Sequence, residues 1–208
     1  MKVESELPEK TKLIEVGCGN GRDASYFAVK GHTVTALDIS ESAIKLCTDK
    51  YRGLSIRFQV GKLSVNELKA AAQLDYHYPY SVRVLYCRFV LHAMPLQDEI
   101  ELLLAANEVL PLGGAFYIEC RSIKDPLASK GKVLSRTERV HGHYRRFIVL
   151  EELVARLEAS GFQVIEQTEQ AGLAIHANDD PVVIRIKAKK IGLSQPPRLT
   201  SLALASTH

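Results

Sequence analysis

The residues of this chain best suited to chemistry begin with Glu15-Val16-Gly17-Cys18-Gly19-Asn20-Gly21-Arg22-Asp23. Three glycines at alternate positions let a backbone turn sharply and remove side chains that would block a ligand. A helix starting just after them would aim its N–H groups at whatever lies over the loop. The spacing is G-x-G-x-G, not the G-x-G-x-x-G of a dinucleotide loop, and Arg22 and Asp23 stand where a pyrophosphate loop favours small residues. Glu15, two positions before the first glycine, suits a ligand with a cationic ammonium end better than a pyrophosphate. Asp38, which ends the next apolar run, can accept both hydroxyls of a ribose.

A second constellation lies at 121–146. Its basic residues are Arg121, Lys124, Lys130, Lys132, Arg136, Arg139, Arg145 and Arg146, and its acids are Asp125 and Glu138. Eight against two gives +6, while the whole chain carries only +3, so the remainder is mildly acidic at −3. Arginine forks match phosphate or carboxylate bidentately. Within the segment, His141-Gly142-His143-Tyr144-Arg145-Arg146-Phe147 mixes donors, rings and a flexible glycine.

Elements that could hold these groups alternate along the chain. Strand-like runs fall at 12–16, 33–37, 55–60, 82–86, 115–120, 162–166 and 182–187, and helical patterns at 22–30, 41–52, 64–74, 96–110 and 149–160. Such alternation predicts an α/β fold, a doubly wound parallel sheet with helices on both faces. The last two strands have no helix between them, so the final strand is expected to enter antiparallel. Residues 121–146 show no strong periodicity, 171–180 reads as a polar turn, and 191–208 as a weakly ordered tail. At 208 residues, with 46% hydrophobic and 25% charged, one domain over 1–190 is expected, and a disordered or disulfide-scaffold chain is excluded. The N-terminus lacks the apolar core of a signal peptide, and no run approaches the roughly 18 apolar residues of a membrane span. Cys18, Cys47, Cys87 and Cys120 lie far apart without a C-x-x-C pair, which fits a reducing cytoplasm and no metal.

Together, Glu15-Val16-Gly17-Cys18-Gly19-Asn20-Gly21, Leu37-Asp38-Ile39-Ser40, Tyr86-Cys87-Arg88-Phe89-Val90-Leu91-His92-Ala93-Met94-Pro95 and Leu110-Pro111-Leu112-Gly113-Gly114 resemble class I S-adenosylmethionine-dependent methyltransferases. The resemblance covers about 11–190. It implies a Rossmann-like seven-stranded sheet of order 3-2-1-4-5-7-6 with strand 7 antiparallel, and S-adenosyl-L-methionine as cofactor. It places that cofactor against Glu15, Gly17, Cys18, Gly19, Gly21 and Arg22, with Asp38 on the ribose, Ile39 on the adenine, and Cys87 and Arg88 near the amino-acid end. Two positions depart from the family pattern. Gly61-Lys62 replaces a Gly-Asp pair, and Arg83 stands where an acid often opens the fourth strand, leaving adenine to backbone and apolar contacts.

Methyl transfer from a sulfonium is an in-line displacement that needs alignment and desolvation. A neutral acceptor calls for a base, and His92, His143 and Tyr144 are the candidates. A carboxylate or phosphate needs none. Segment 121–146 is expected to form a lid that holds an anionic small-molecule or glycan acceptor through Arg121, His143, Tyr144, Arg145 and Arg146, with O-methylation favoured. Glu119, beside Arg121, equally suits a structural partner for an arginine. Two alternatives stand beside this expectation: an RNA methyltransferase, though no Asn-Pro-Pro-Tyr-type signature follows strand 4, and a cofactor-binding protein without turnover.

Overall fold

The computed structural model describes residues 7–62, 64–73 and 83–192. The expected tail over 191–208 therefore lies almost wholly outside the described residues, as does the N-terminal stretch before Leu7.

The chain opens with β1 (Lys12–Val16), α1 (Arg22–Val29), β2 (Thr33–Asp38), α2 (Glu41–Lys50), β3 (Ile56–Val60) and α3 (Val65–Gln73). It continues with β4 (Val84–Arg88), a short 3-10 turn (Leu91–Ala93), α4 (Leu96–Val109) and β5 (Ala115–Arg121). After a second 3-10 turn (Pro126–Ser129) come β6 (Lys132–Val133), β7 (Glu138–His141) and β8 (His143–Arg146), then α5 (Leu150–Ala159), β9 (Phe162–Gln170) and β10 (Val183–Lys190). The main sheet runs β3-β2-β1-β4-β5-β10-β9. All its pairings are parallel except those of β10, which is antiparallel to β5 and β9. With β9 as the sixth main strand and β10 as the seventh, the expected order holds.

Strand alternation divides the core between the two faces of the sheet. Ile14, Val16, Leu37, Leu85, Cys87, Phe116, Ile118 and Ile184 pack with Leu102, Leu103, Leu153 and Leu157 of α4 and α5. Leu13, Val34, Ala36, Val84, Tyr86 and Tyr117 pack with Phe27 of α1 and Ile44 of α2. Burial on both faces is why the strands read as nearly unbroken apolar runs. Ser40 caps α2, its hydroxyl accepting from the Ala43 N–H at 3.2 Å, and so fixes the turn that follows Asp38. All four cysteines are buried free thiols.

The segment 121–146, which shows no strong periodicity in sequence and is expected as a lid, contains regular structure. Residues 132–146 form a second, antiparallel sheet, β6-β7-β8, turning at Gly142. It is tied to the body through Arg146, whose guanidinium is buried among the Leu91 and Met94 carbonyls and the Glu99 carboxylate. Glu99 also accepts from Arg156 Nε at 2.6 Å, so one buried acid joins β8, α4 and α5. Among the described residues, no helix is long and apolar enough to cross a membrane.

Candidate active site

The carboxyl ends of β1, β2, β4 and β5 form one edge, and the glycine loop crosses it. Gly17 N–H and Cys18 N–H both donate to the Leu37 carbonyl, at 2.7 and 2.9 Å. Asp38 then clasps the loop from the end of β2. Its Oδ2 accepts from Gly19 N–H at 2.8 Å and its Oδ1 from Ser40 N–H at 2.9 Å. Each oxygen keeps lone-pair capacity toward the solvent edge. Ile39, beside it, is 73% exposed, an apolar side chain awaiting cover.

The three glycines do different work. A Cβ on Gly17 would come within 2.3 Å of Val90 Cγ2, and one on Gly21 within 2.8 Å of Tyr51 and 3.0 Å of Cys47 Sγ. Those two positions are small so that protein can pack there. Only a Cβ on Gly19 would meet open space.

Glu15 is buried under this loop; the Ala24 N–H donates to its carboxyl, and among the described residues its Oε2 has no hydrogen-bond partner. Burial pushes its carboxyl well above the usual range; neighbouring Asp23 adds to the rise, and Arg88 and Arg22 oppose it. A buried acid with one unpaired oxygen here fits a cationic ligand end. Arg88 is less free than the sequence suggested. It lies between Asp23 Oδ2, 3.1 Å from Nη1, and the fully buried Glu119 Oε1, 2.6 Å from Nε. Arg185 of β10 holds the other oxygen of Glu119 at 2.5 Å. Cys87 is fully buried in the core, so at this edge it offers backbone only, and Cys18 also packs inward. Arg22 is exposed and bonded to Asp23.

Beyond β4, Phe89 adopts φ 59, a left-handed backbone uncommon for an aromatic residue and typical of constrained sites. Its ring lies 5.2 Å from the Arg88 guanidinium and 6.0 Å from that of Arg121, with the His92 ring edge-on at 5.4 Å. Phe89 thus links the loop side of the edge to the basic side. No sequence pattern marked it, because a positive φ on a non-glycine residue leaves no compositional trace.

Of the three candidate bases, two are already committed. His92 is buried, and its Nδ1 accepts from the Arg121 backbone N–H at 3.3 Å, which assigns the ring proton to Nε2. Burial, reinforced by Arg121, Arg145 and other cations, lowers its pKa to about 3, so it is a neutral donor. Tyr144 donates its hydroxyl to Glu138 Oε1 at 2.6 Å, and burial plus that bond push its pKa up. His143 is exposed at the hairpin turn.

The substrate-binding expectations also separate. Arg146 is a buried brace, not a ligand group. Arg121 pairs with Asp125, at 2.9 Å, and with Asp179. Among the described residues, the Arg145 guanidinium bonds only the His141 carbonyl, at 3.0 Å. Burial and the nearby Arg121 lower its pKa.

The description of one family of methyltransferase domains matches residues 2–167. The chain belongs to this family, that of class I S-adenosylmethionine-dependent methyltransferases. Ubiquinone biosynthesis O-methyltransferase of Thiobacillus denitrificans is 27% identical over 162 residues, covering 76% of this chain and 66% of that protein. YqeM of Bacillus subtilis is 35% identical over 48 residues, or 23% of this chain and 19% of that one. The chain thus spans less than two thirds of either curated relative. In fold it is similar to a SAM-dependent methyltransferase from Methanosarcina mazei, with a TM-score of 0.74 and 18% identity over 91% of this chain and 96% of that one. It is also similar to the glycopeptide N-methyltransferase MtfA, solved with S-adenosylmethionine, with a TM-score of 0.65 and 18% identity over 90% of each chain.

The residues present fit the family's cofactor. The edge offers open space at Gly19, a buried acid with one unpaired oxygen at Glu15, acceptor capacity on Asp38 and an exposed apolar side chain at Ile39, chemistry compatible with a ligand that carries an ammonium group, a ribose and an adenine.

Proposed function

We propose that the protein methylates an ionised oxygen, carboxylate or phosphate, of a small or glycan-type acceptor. The observation that carries this is the commitment of His92 and Tyr144. His92 has its lone pair occupied, Tyr144 has its proton engaged and His143 is exposed at the hairpin turn, which favours an acceptor that arrives already nucleophilic. S-adenosylmethionine, when bound, supplies the electrophilic methyl group. Glu15, Gly19, Asp38 and Ile39 would hold it, with Arg88 fixed beside its amino-acid end. Arg145 and Arg121 orient the acceptor anion, His92 Nε2–H donates to it, and the β6-β7-β8 sheet excludes water.

Internal pairing of the basic segment supports a small acceptor over RNA. Lys124, Arg136 and Arg146 are paired with Glu169, Glu152 and Glu99, and Arg121 with two aspartates. Half of its eight basic residues are thus engaged by acids and withdrawn from tracking a phosphate backbone. The four free thiols suit a reducing compartment such as the cytoplasm.

A screen with radiolabelled S-adenosylmethionine against carboxylic acids, phosphorylated sugars, amines and tRNA tests the proposal. Label in the first two classes is expected, with Arg145→Ala raising acceptor KM about tenfold and leaving cofactor Kd unchanged. Label confined to amines or tRNA, or an unchanged acceptor KM in Arg145→Ala, overturns it. A protein that fails to bind S-adenosylhomocysteine in calorimetry has no cofactor function at all.

A further inference from the structure

Arg121 is shared between two carboxylates of different character. Asp125 is buried, takes Nη1 at 2.9 Å, and also caps the following turn by accepting from Leu127 N–H at 2.8 Å. It is built in. Asp179 takes Nη2, yet its side chain is 49% exposed. It belongs to the connection between β9 and β10, on a tight turn closed by reciprocal backbone bonds between His176 and Asp179, both 2.9 Å. Ala177 in that turn holds φ 50, a conformation that L residues seldom adopt.

One buried aspartate already balances Arg121. Among the described residues Arg145 forms no ion pair: its guanidinium donates to the His141 carbonyl at 3.0 Å, while Arg121 repels it and Asp125 and Asp179 attract it from a distance. Two arginines and two aspartates therefore share one corner, bounded by Phe89 and His92, and Asp179 is the only member on a surface turn.

We infer that Asp179 is an internal stand-in for the acceptor's anionic group, occupying the outer fork of Arg121 until an acceptor oxyanion displaces it and bridges Arg121 and Arg145. This rests on the anionic acceptor proposed above. The exchange swaps one oxyanion for another on Arg121, so no proton moves. The incoming group wins because a carboxylate or phosphate presents oxygens to both guanidinium groups, giving Arg145 a partner it lacks. A neutral molecule cannot displace Asp179 and is refused. Asp179 is thus a specificity-determining residue, and the 171–181 connection shifts as the acceptor enters.

The test uses the full chain saturated with S-adenosylhomocysteine, titrated separately with inorganic phosphate and with acetate by calorimetry. Asp179→Asn is expected to bind the preferred anion about tenfold more tightly than wild type, Asp179→Glu to restore wild-type affinity, and Arg145→Ala to weaken it about tenfold. Whichever anion binds more tightly identifies the acceptor group as phosphate or carboxylate. In wild type, saturating anion should speed hydrogen exchange of the amides in 173–180, a readout that needs no variant. Equal affinity in wild type and Asp179→Asn, or unchanged exchange, with Arg145→Ala still weakened, overturns the role of Asp179 and leaves the anionic acceptor standing. No effect of either substitution overturns both.

Discussion

At the scale of single residues, Glu15 answers two opposed demands. Its folded-state pKa is raised by burial, so its contribution to stability is complete below the ordinary value of 4.5 and is lost as pH climbs through the raised one. Ionising Glu15 therefore weakens the cofactor-free fold. Glu15→Gln should raise the melting temperature of cofactor-free protein near pH 7 while lowering S-adenosylhomocysteine affinity at least about tenfold, as seen by thermal scans and calorimetry. The glycines give a parallel contrast. Gly17→Ala and Gly21→Ala should each destabilise by about 1–3 kcal/mol in urea unfolding, because their Cβ atoms land on Val90 and Tyr51. Gly19→Ala should lose cofactor binding out of proportion to its smaller stability loss. Asp38 and the loop were legible in the sequence because spacing alone defines a strand–turn–helix unit. Arg146 was misread for an equally physical reason: in a strand, successive residues face opposite sides. Arg145 and Arg146 look equivalent in a basic run, but the pleat leaves one half-exposed and sends the other into the core.

At the scale of elements, the β7–β8 hairpin is held on the body by Arg146, Glu99 and Arg156. Removing one partner of a buried ion network leaves a charge uncompensated, at about 3–5 kcal/mol. Arg146→Ala should therefore lower stability by that order in urea unfolding, whereas Arg145→Ala should leave stability nearly unchanged and alter acceptor KM alone. The main sheet and its helices were readable from periodicity because the central strands β1, β4 and β5 are buried apolar runs and the helices between strands carry apolar stripes. The small sheet was not, because its strands span two to four residues rich in arginine and histidine and bury little apolar surface. Its one clear signal was Gly142, which sits at φ 75 where the hairpin reverses.

At the scale of the whole molecule, the +3 average conceals a mildly acidic body and a basic segment, half of whose eight basic residues are paired with acids. Acceptor binding should accordingly weaken only gently with salt, with a log–log slope near 1–2 and not the steep slope of a protein lying along many phosphates. Kinetics between 50 and 200 mM salt measure this. His92 governs the acid side. Its depressed pKa means that its stabilising contribution is present above the ordinary 6.5 and is lost as pH falls toward about 3. Melting temperatures across that window should fall less steeply in His92→Gln than in wild type.

The position of β10 between β5 and β9 has a consequence for how the protein is made. Until residue 190 has been synthesised, β5 presents an open edge, and β9 has no neighbour in the sheet. The strand that closes the sheet is the last to emerge, and Lys190 at its end also caps α4 by donating to the Leu110 carbonyl at 2.7 Å, an 80-residue return. Folding is therefore completed late and over long sequence separations. A ribosome stalled shortly before β10 leaves a nascent chain whose β5 edge still offers itself to other chains.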